Sequence, residues 1–137
     1  MRLRGLSGRE ISRNTARYRI KWDGKTVSKM QSSVKKFLRT YWEGDIVYEE
    51  FPVFGTKMRL DLFNATRKVA IEVNGDQHRK FSPFFHNDSR AKYFYQIKRD
   101  QRKYEWCELN GIALVEIYTD DFPLTRQFFA RVGAILV

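Results

Sequence analysis

At 137 residues, with 42% hydrophobic and 15% aromatic content, the chain can bury a core as one domain and is too apolar to be disordered. It has no apolar run of roughly 18 residues for a membrane span and no leader-like apolar stretch in MRLRGLSGRE. Its single cysteine, Cys107, excludes an internal disulfide and, with only two histidines, a zinc finger. A cytoplasmic protein is expected. The formal net charge is +10, and residues 1–40 carry all of it: 12 Lys/Arg stand there against Glu10 and Asp23, whereas residues 41–137 balance 14 against 14. A polyanionic partner follows. Tyr18 and Trp22 interleave with the arginines, and the arm has no clean apolar face, which favours nucleic acid over an anionic membrane.

Residues 1–27 read as irregular or weakly extended, a basic arm whose best strand candidate is RYRIKW, followed by a turn at KWDGKT. Ser28 is placed to cap a helix, with Gln31 completing a capping box. Met30, Val34, Phe37, Leu38, Tyr41 and Trp42 recur at helical spacing, while Lys29, Lys35, Lys36 and Arg39 fall on the other face, and Gly44 stops the helix. IVYEEFPVF (46–54) contains Pro52 and reads as an edge strand. MRLDLFN (58–64) and VAIEV (69–73) read as a hairpin, the second strand central. FSPFFHNDS (81–89) reads as an aromatic loop, 90–110 as a long helix stopped by Gly111, IALVEIY (112–118) as a strand and LTRQFFARV (124–132) as a last helix. The predicted order is α-β-β-β-α-β-α, an α/β sandwich in one domain spanning 1–137. The aromatic loop and the terminal FFARVGAILV are candidate interface surfaces, the second more naturally core.

Two acids stand out because they lie inside strands. Asp61 sits mid-strand in MRLDLFN, and Glu72 sits in VAIEV, where its neighbours look buried. If the two strands pair, both carboxylates project toward one spot. Close, partly buried carboxylates repel, and each is driven toward protonation. A divalent cation resolves that conflict, and carboxylate plus water is what Mg²⁺ prefers, with Mn²⁺ as a substitute. The carbonyl of Val73 could add an oxygen. Asn74-Gly75 then turns the chain and delivers Gln77 and His78 near the acids. His78 could serve as general base, general acid or phosphate anchor. Asp100 and, one turn later, Lys103 would reach the same cleft if their helix packs over the strand ends. Taken singly, a strand acid is often solvent-facing and a histidine after a turn is often surface decoration; the conjunction is what points to a site.

The run MRLDLF–x₅–VAIEVNGDQH, followed by RDQRKYEWCELNGIALVEIY, resembles the PD-(D/E)XK nuclease superfamily. The resemblance covers about residues 28–118 and is closest to the branch of very-short-patch repair endonucleases and phage homing endonucleases of the EDxHD type. It implies a restriction-endonuclease-like core, with Asp61 as the central metal-binding aspartate and Glu72 as the second acid. The superfamily lysine would fall at Asn74, so the sequence departs there, and weight moves to His78, Gln77 or Lys103. Asp100 matches the helical aspartate, and Glu49 or Glu50 matches an acid near the first core strand. The expectation is an Mg²⁺-dependent, homing-type site-specific endonuclease acting on double-stranded DNA, phage- or bacterium-encoded and cytoplasmic in the host cell. Arg2, Arg4, Arg9, Arg13, Arg17, Arg19, Lys21, Lys35, Lys36 and Arg39 would track its phosphates. A homodimer would suit a double-strand cutter. The competing readings are a repair or junction-resolving nuclease on the same fold, a non-catalytic nucleic-acid-binding module, and an RNA-binding protein; the acids would be a liability to the last two.

Overall fold

The computed structural model describes residues 1–26, 28–74 and 101–136. Strands β1 (Arg2–Arg4) and β2 (Glu10–Ser12) form a short antiparallel hairpin, followed by a 3₁₀ turn at Ala16–Tyr18. Helix α1 (Lys29–Trp42) leads into strands β3 (Val47–Pro52), β4 (Arg59–Asn64) and β5 (Val69–Val73). Helix α2 covers 101–109, strand β6 is Ala113–Ile117, and helix α3 is Arg126–Arg131. The four-stranded mixed sheet has the order β3-β4-β5-β6, antiparallel through the first three strands and parallel between β5 and β6. The class is α+β, a mixed sheet with helices. Among the described residues no helix is long and apolar enough to cross a membrane.

Both faces of the sheet are covered, which is why VAIEV carries almost no exposed surface. On one face Leu62, Val69, Ile71, Val115 and Ile117 pack with Val34, Leu38 and Trp42 of α1 and with Phe128 and Phe129 of α3. On the other, Phe63 and Ala70 pack with Trp106 and Cys107 of α2 and with Phe51 and Phe54; Leu3, Leu6, Ile11 and Tyr18 of the N-terminal segment close over that layer. The N-terminal hairpin and the 3₁₀ turn are therefore docked on the sheet rather than loose. RYRIKW is not a strand: its start is the 3₁₀ turn, and it touches the sheet through one bridge, Arg19 to Tyr48, and the Ile20 N–H bond to the Val47 carbonyl at 2.9 Å. The alternation in RYRIKW is real, but β3 receives it only at one point, because Lys21 onward turns away toward α1.

The β4–β5 hairpin has its register pinned at the turn. Asn64 accepts the Arg67 N–H on Oδ1 at 2.9 Å and donates from Nδ2 to Asp45 at 2.9 Å, and the Arg67 Nε lies 2.6 Å from the same Asp45 oxygen. A one-residue slip would reverse every side chain between the two cores, so this clamp decides where Asp61 and Glu72 point.

Helix α1 is capped by Ser28, whose hydroxyl accepts the Gln31 N–H at 3.1 Å. The reciprocal half of the expected capping box is missing, because the Gln31 side chain reaches Glu50 Oε1 at 3.4 Å instead. A second departure concerns Lys35, placed by spacing on the solvent face with the DNA-tracking residues. It is 2% exposed, and its Nζ donates to Glu49 Oε2 at 2.9 Å and to the Lys21 carbonyl at 2.7 Å. Edge strand β3 supplies an acid under the helix, and that acid draws the lysine inward. Lys35 therefore cannot meet a phosphate. Removing one member of such a pair leaves the other buried and uncompensated. Lys35→Ala should cost about 3–5 kcal/mol in urea unfolding, whereas Lys36→Ala, on the exposed face beside it, should stay within about 0.5 kcal/mol; equal losses would contradict the assignment.

Candidate active site

Continuing the β4–β5 register, in which Leu62 faces Ile71, by one residue sets Asp61 directly across from Glu72. Both belong to the face covered by α2. Glu72 is 6% exposed. The Asp61 carboxylate is held by the chain beyond it: Oδ2 accepts the Val73 N–H at 2.7 Å. Val73 thus meets the site through its N–H. From α2, one turn before Trp106, the Lys103 ammonium comes within 2.7 Å of Glu72 Oε1. Lys103 is itself largely buried, so this is an interior charge contact and not a surface ion pair. Asp61, Glu72 and Lys103 are brought together; Gln77, His78 and Asp100 lie outside the described residues.

The electrostatics follow from this packing. Burial, reinforced by the neighbouring Asp61 carboxylate, pushes Glu72 up to about 8, and the Lys103 ammonium only partly offsets it. Cys107, one helical turn beyond Lys103, is pushed up to about 12 by burial and then by Glu72, so it stays a thiol and is no nucleophile at neutral pH. Near neutrality, then, the site carries a carboxylate, a carboxyl poised to lose its proton, and an ammonium. Ionising Glu72 would leave the site one positive charge short, so a cation bound there would favour release of that proton.

Two neighbours extend the row. The parallel register pairs Glu72 with Glu116 on β6, so acids occupy matching positions on β4, β5 and β6. Glu116 Oε2 is turned to the Tyr118 hydroxyl, which donates to it at 2.9 Å. Across the other edge, Glu50 stands at the position opposite Asp61 in the β3–β4 register, between the pairs Glu49–Leu62 and Phe51–Leu60. Its φ of 50° is left-handed, uncommon for a residue other than glycine, and breaks the ladder there. Both glutamates turn to α1: Glu49 is spent on Lys35 and on the Lys21 N–H at 3.1 Å, and Glu50 Oε1 lies 3.4 Å from the Gln31 amide, so only the backbone position of Glu50 is set beside Asp61. Glu116 was missed in the sequence, although the alternation of IALVEIY carries the same signal as VAIEV. Among the described residues no three His, Cys, Asp or Glu side chains converge closely enough to hold a metal by themselves.

The basic residues assigned to DNA divide. Arg4, Arg9, Arg19, Lys21 and Lys36 are exposed. Arg2 lies 3.9 Å from Glu10, and Arg39 is held by Asp23 at 2.6 Å and by Glu43 at 3.3 Å. Arg13 stacks over the Phe54 ring at 5.5 Å and Arg17 over Tyr18 at 4.9 Å.

Because Glu72 titrates higher in the folded chain than its ordinary 4.5, the native state keeps a proton that the unfolded state releases. Its contribution to stability is complete below about pH 4.5 and falls as pH rises toward about 8. The urea midpoint of the wild type should decline across that window, and Glu72→Gln, which has no proton to lose, should flatten the decline. Parallel pH curves for the two proteins would remove the buried-carboxyl assignment.

No protein-family model matches the chain, and no solved structure matches it. Similar curated proteins are viral. The chain is 38% identical over 66 residues to uncharacterized protein 033L of Invertebrate iridescent virus 3, 37% over 68 residues to uncharacterized protein 307L of Invertebrate iridescent virus 6, and 35% over 66 residues to uncharacterized protein 094L of Frog virus 3. Each match takes in 48% of this chain and 34%, 34% and 43%, respectively, of the relative. The chain thus spans well under half the length of the curated relatives it matches.

Proposed function

We propose that the protein is a metal-dependent endonuclease of double-stranded DNA, built on a restriction-endonuclease-like core and, given its viral relatives, acting in an infected host cell. The observation that carries this reading is the facing pair Asp61 and Glu72, two carboxylates on central strands with Glu72 driven up to about 8. A buried pair of this kind costs stability in a protein that only has to fold, and a pure nucleic-acid binder gains nothing from acids turned toward phosphate.

The donor set fits a hard divalent cation. Asp61 has one oxygen engaged by the Val73 N–H, Glu72 has one oxygen at Lys103, the two carboxyls share a hydrogen bond that a divalent cation would replace, and water or phosphate oxygens would complete an Mg²⁺ shell. When bound there, such an ion supplies Lewis acidity toward a phosphoryl oxygen and a lowered pKa for a coordinated water. The chain's own part is to position. The Val73 N–H fixes the Asp61 rotamer, and Lys103 favours the charged form of Glu72 without overcoming its burial and offers an ammonium to a phosphate oxygen. The basic N-terminal segment gives affinity that is independent of sequence. The proposal rests on none of Gln77, His78 or Asp100. A second reading, a non-catalytic nucleic-acid-binding module, is favoured by one observation: Lys103 already provides a cation to Glu72.

The two readings separate in a cleavage assay on supercoiled and linear duplex DNA, with Mg²⁺ or with excess EDTA. The wild type should cut only with the metal. Asp61→Asn and Glu72→Gln should each lose about 10²-fold or more in the cleavage step, with duplex affinity unchanged in Glu72→Gln and equal or tighter in Asp61→Asn, where a repelling charge is gone. Lys103→Met should slow cleavage by about 10²–10⁴ if its ammonium assists the phosphate or a proton transfer. Cleavage that persists in EDTA would remove the metal, and a wild type that binds duplex but never cuts it leaves the binding module.

A further inference from the structure

One side chain fastens the N-terminal hairpin to the far end of α2. Asn110, just beyond the helix, accepts the Arg4 N–H on Oδ1 at 2.7 Å and donates from Nδ2 to the Arg4 carbonyl at 2.9 Å, so its amide pairs with Arg4 as a strand residue would. The same Nδ2 also donates to the Trp106 carbonyl at 2.9 Å, which ties the amide to its own helix. The seat is close: a Cβ on Gly5 would lie 2.9 Å from Ile11 Cδ1, so a larger residue there would make the Ile11 side chain shift. A hairpin held this way presents its arginines in fixed places.

Between it and the β4–β5 turn lies a groove of about 500 Å³. Phe63, Ile112 and Leu109 form an apolar floor, and Arg2, Arg4 and Lys68 are its cations. Glu10, the one acid among its lining residues, is 3.9 Å from Arg2. Lys68 is exposed, stands at the end of the turn with φ 57°, and has no acid within ion-pair distance among the described residues. Its place is fixed by the Asp45–Arg67–Asn64 clamp on the same turn.

We propose that this groove is a second contact for the backbone of duplex DNA, in which Arg2, Arg4 and Lys68 meet phosphates and Asn110 acts as the positioning residue that keeps the arginines there. The proposal rests on the nucleic-acid part of the reading above and not on its chemistry. Charge complementarity selects the occupant: three cations over an apolar floor in a chain of net charge +10 suit a polyanion. Geometry suits the same duplex that would reach the acids. Lys103 and Asn110 are seven residues apart, about 10 Å along the direction of α2, which is roughly three base-pair rises of DNA. The groove and the acids would then meet one stretch of backbone.

The test is the salt dependence of binding to a short labelled duplex, read by fluorescence anisotropy in EDTA over a series of KCl concentrations. Each phosphate contact contributes about −0.9 to the slope of log affinity against log salt. Lys68→Ala and Arg4→Ala should each make the slope shallower by about 0.9, and Lys68→Arg should keep it. Asn110→Ala changes no charge, yet it should also make the slope shallower by releasing Arg2 and Arg4. Arg131→Ala, on exposed α3 against the opposite face, should leave it unchanged. If Asn110→Ala does not fold, Lys68→Ala on its exposed turn decides the matter. A wild-type slope in Lys68→Ala, an equal change in Arg131→Ala, or a wild type that binds poly-glutamate but no duplex overturns the groove. A protein that never cleaves but shows the Lys68 effect loses the nuclease reading and keeps the groove. Normal cleavage with an unchanged Lys68 slope does the reverse.

Discussion

Two carboxylates on neighbouring strands, with their sheet covered on both faces, cannot both ionise without a cation. That repulsion between Asp61 and Glu72 organises the interior around it. Lys103 is drawn in from α2 to 2.7 Å from Glu72, the Val73 N–H is turned to Asp61, and Glu72 still holds its proton up to about 8. A core that served only packing would do better with apolar residues at these two positions, since replacing buried charges by well-packed apolar groups is often neutral or stabilising. The pair is therefore an expense in folding, for which the proposed role with a cation and an anionic substrate would account.

The rest of the fold holds that pair in place. The turn after β4 is clamped through Asp45, Asn64 and Arg67, which fixes the register that sets the acids opposite one another. The parallel strand β6 follows α2 after only a short connection, so the helix that carries Lys103 is laid across the face bearing Glu72, and Trp106 and Cys107 seal that layer. On the opposite face α1 and α3 supply the larger apolar cluster, leaving the acids as the only charged groups on the middle of β4 and β5. Lys103 lies at this centre, and exposed basic charge stands on the docked hairpin, the turn at Lys68 and the exposed face of α1. A nucleic-acid duplex would thus be attracted by the periphery and challenged by acids only at one point.

Sequence patterning made most of this architecture legible. The period-two runs at 58–64 and 69–73, the capped amphipathic helix after Ser28 and the glycine stop at Gly111 all correspond to observed elements, because each is decided locally by side-chain alternation or a cap. Asp61 and Glu72 could be singled out because charge inside an apolar strand is rare, and Lys103 as the basic residue one turn after Asp100 on a helix expected to pack over the strand ends. What was hidden is non-local. The hairpin of Arg2–Arg4 with Glu10–Ser12 consists of two three-residue strands whose stability comes from Asn110, more than a hundred positions away. Lys35 lies on the polar face of its helix by spacing, and only the neighbouring strand's Glu49 explains its burial. Glu49 and Glu50 are adjacent in sequence and chemically identical; the left-handed backbone at Glu50, set by the break in the β3–β4 ladder, is what gives them different surroundings.

The shared charge between Asp61 and Glu72 can be read directly. Selective ¹³C labelling of glutamate carboxyls, with the Glu72 resonance assigned by its loss in Glu72→Gln, allows its titration to be followed by NMR in the absence of divalent ions. The account predicts a midpoint near 8 for Glu72 and a lower one in Asp61→Asn that stays above the ordinary 4.5, since that substitution removes the neighbouring charge and leaves the burial, the larger cause. A midpoint close to 4.5 in the wild type, unchanged by Asp61→Asn, would mean that the two carboxylates do not share a site and would contradict the account.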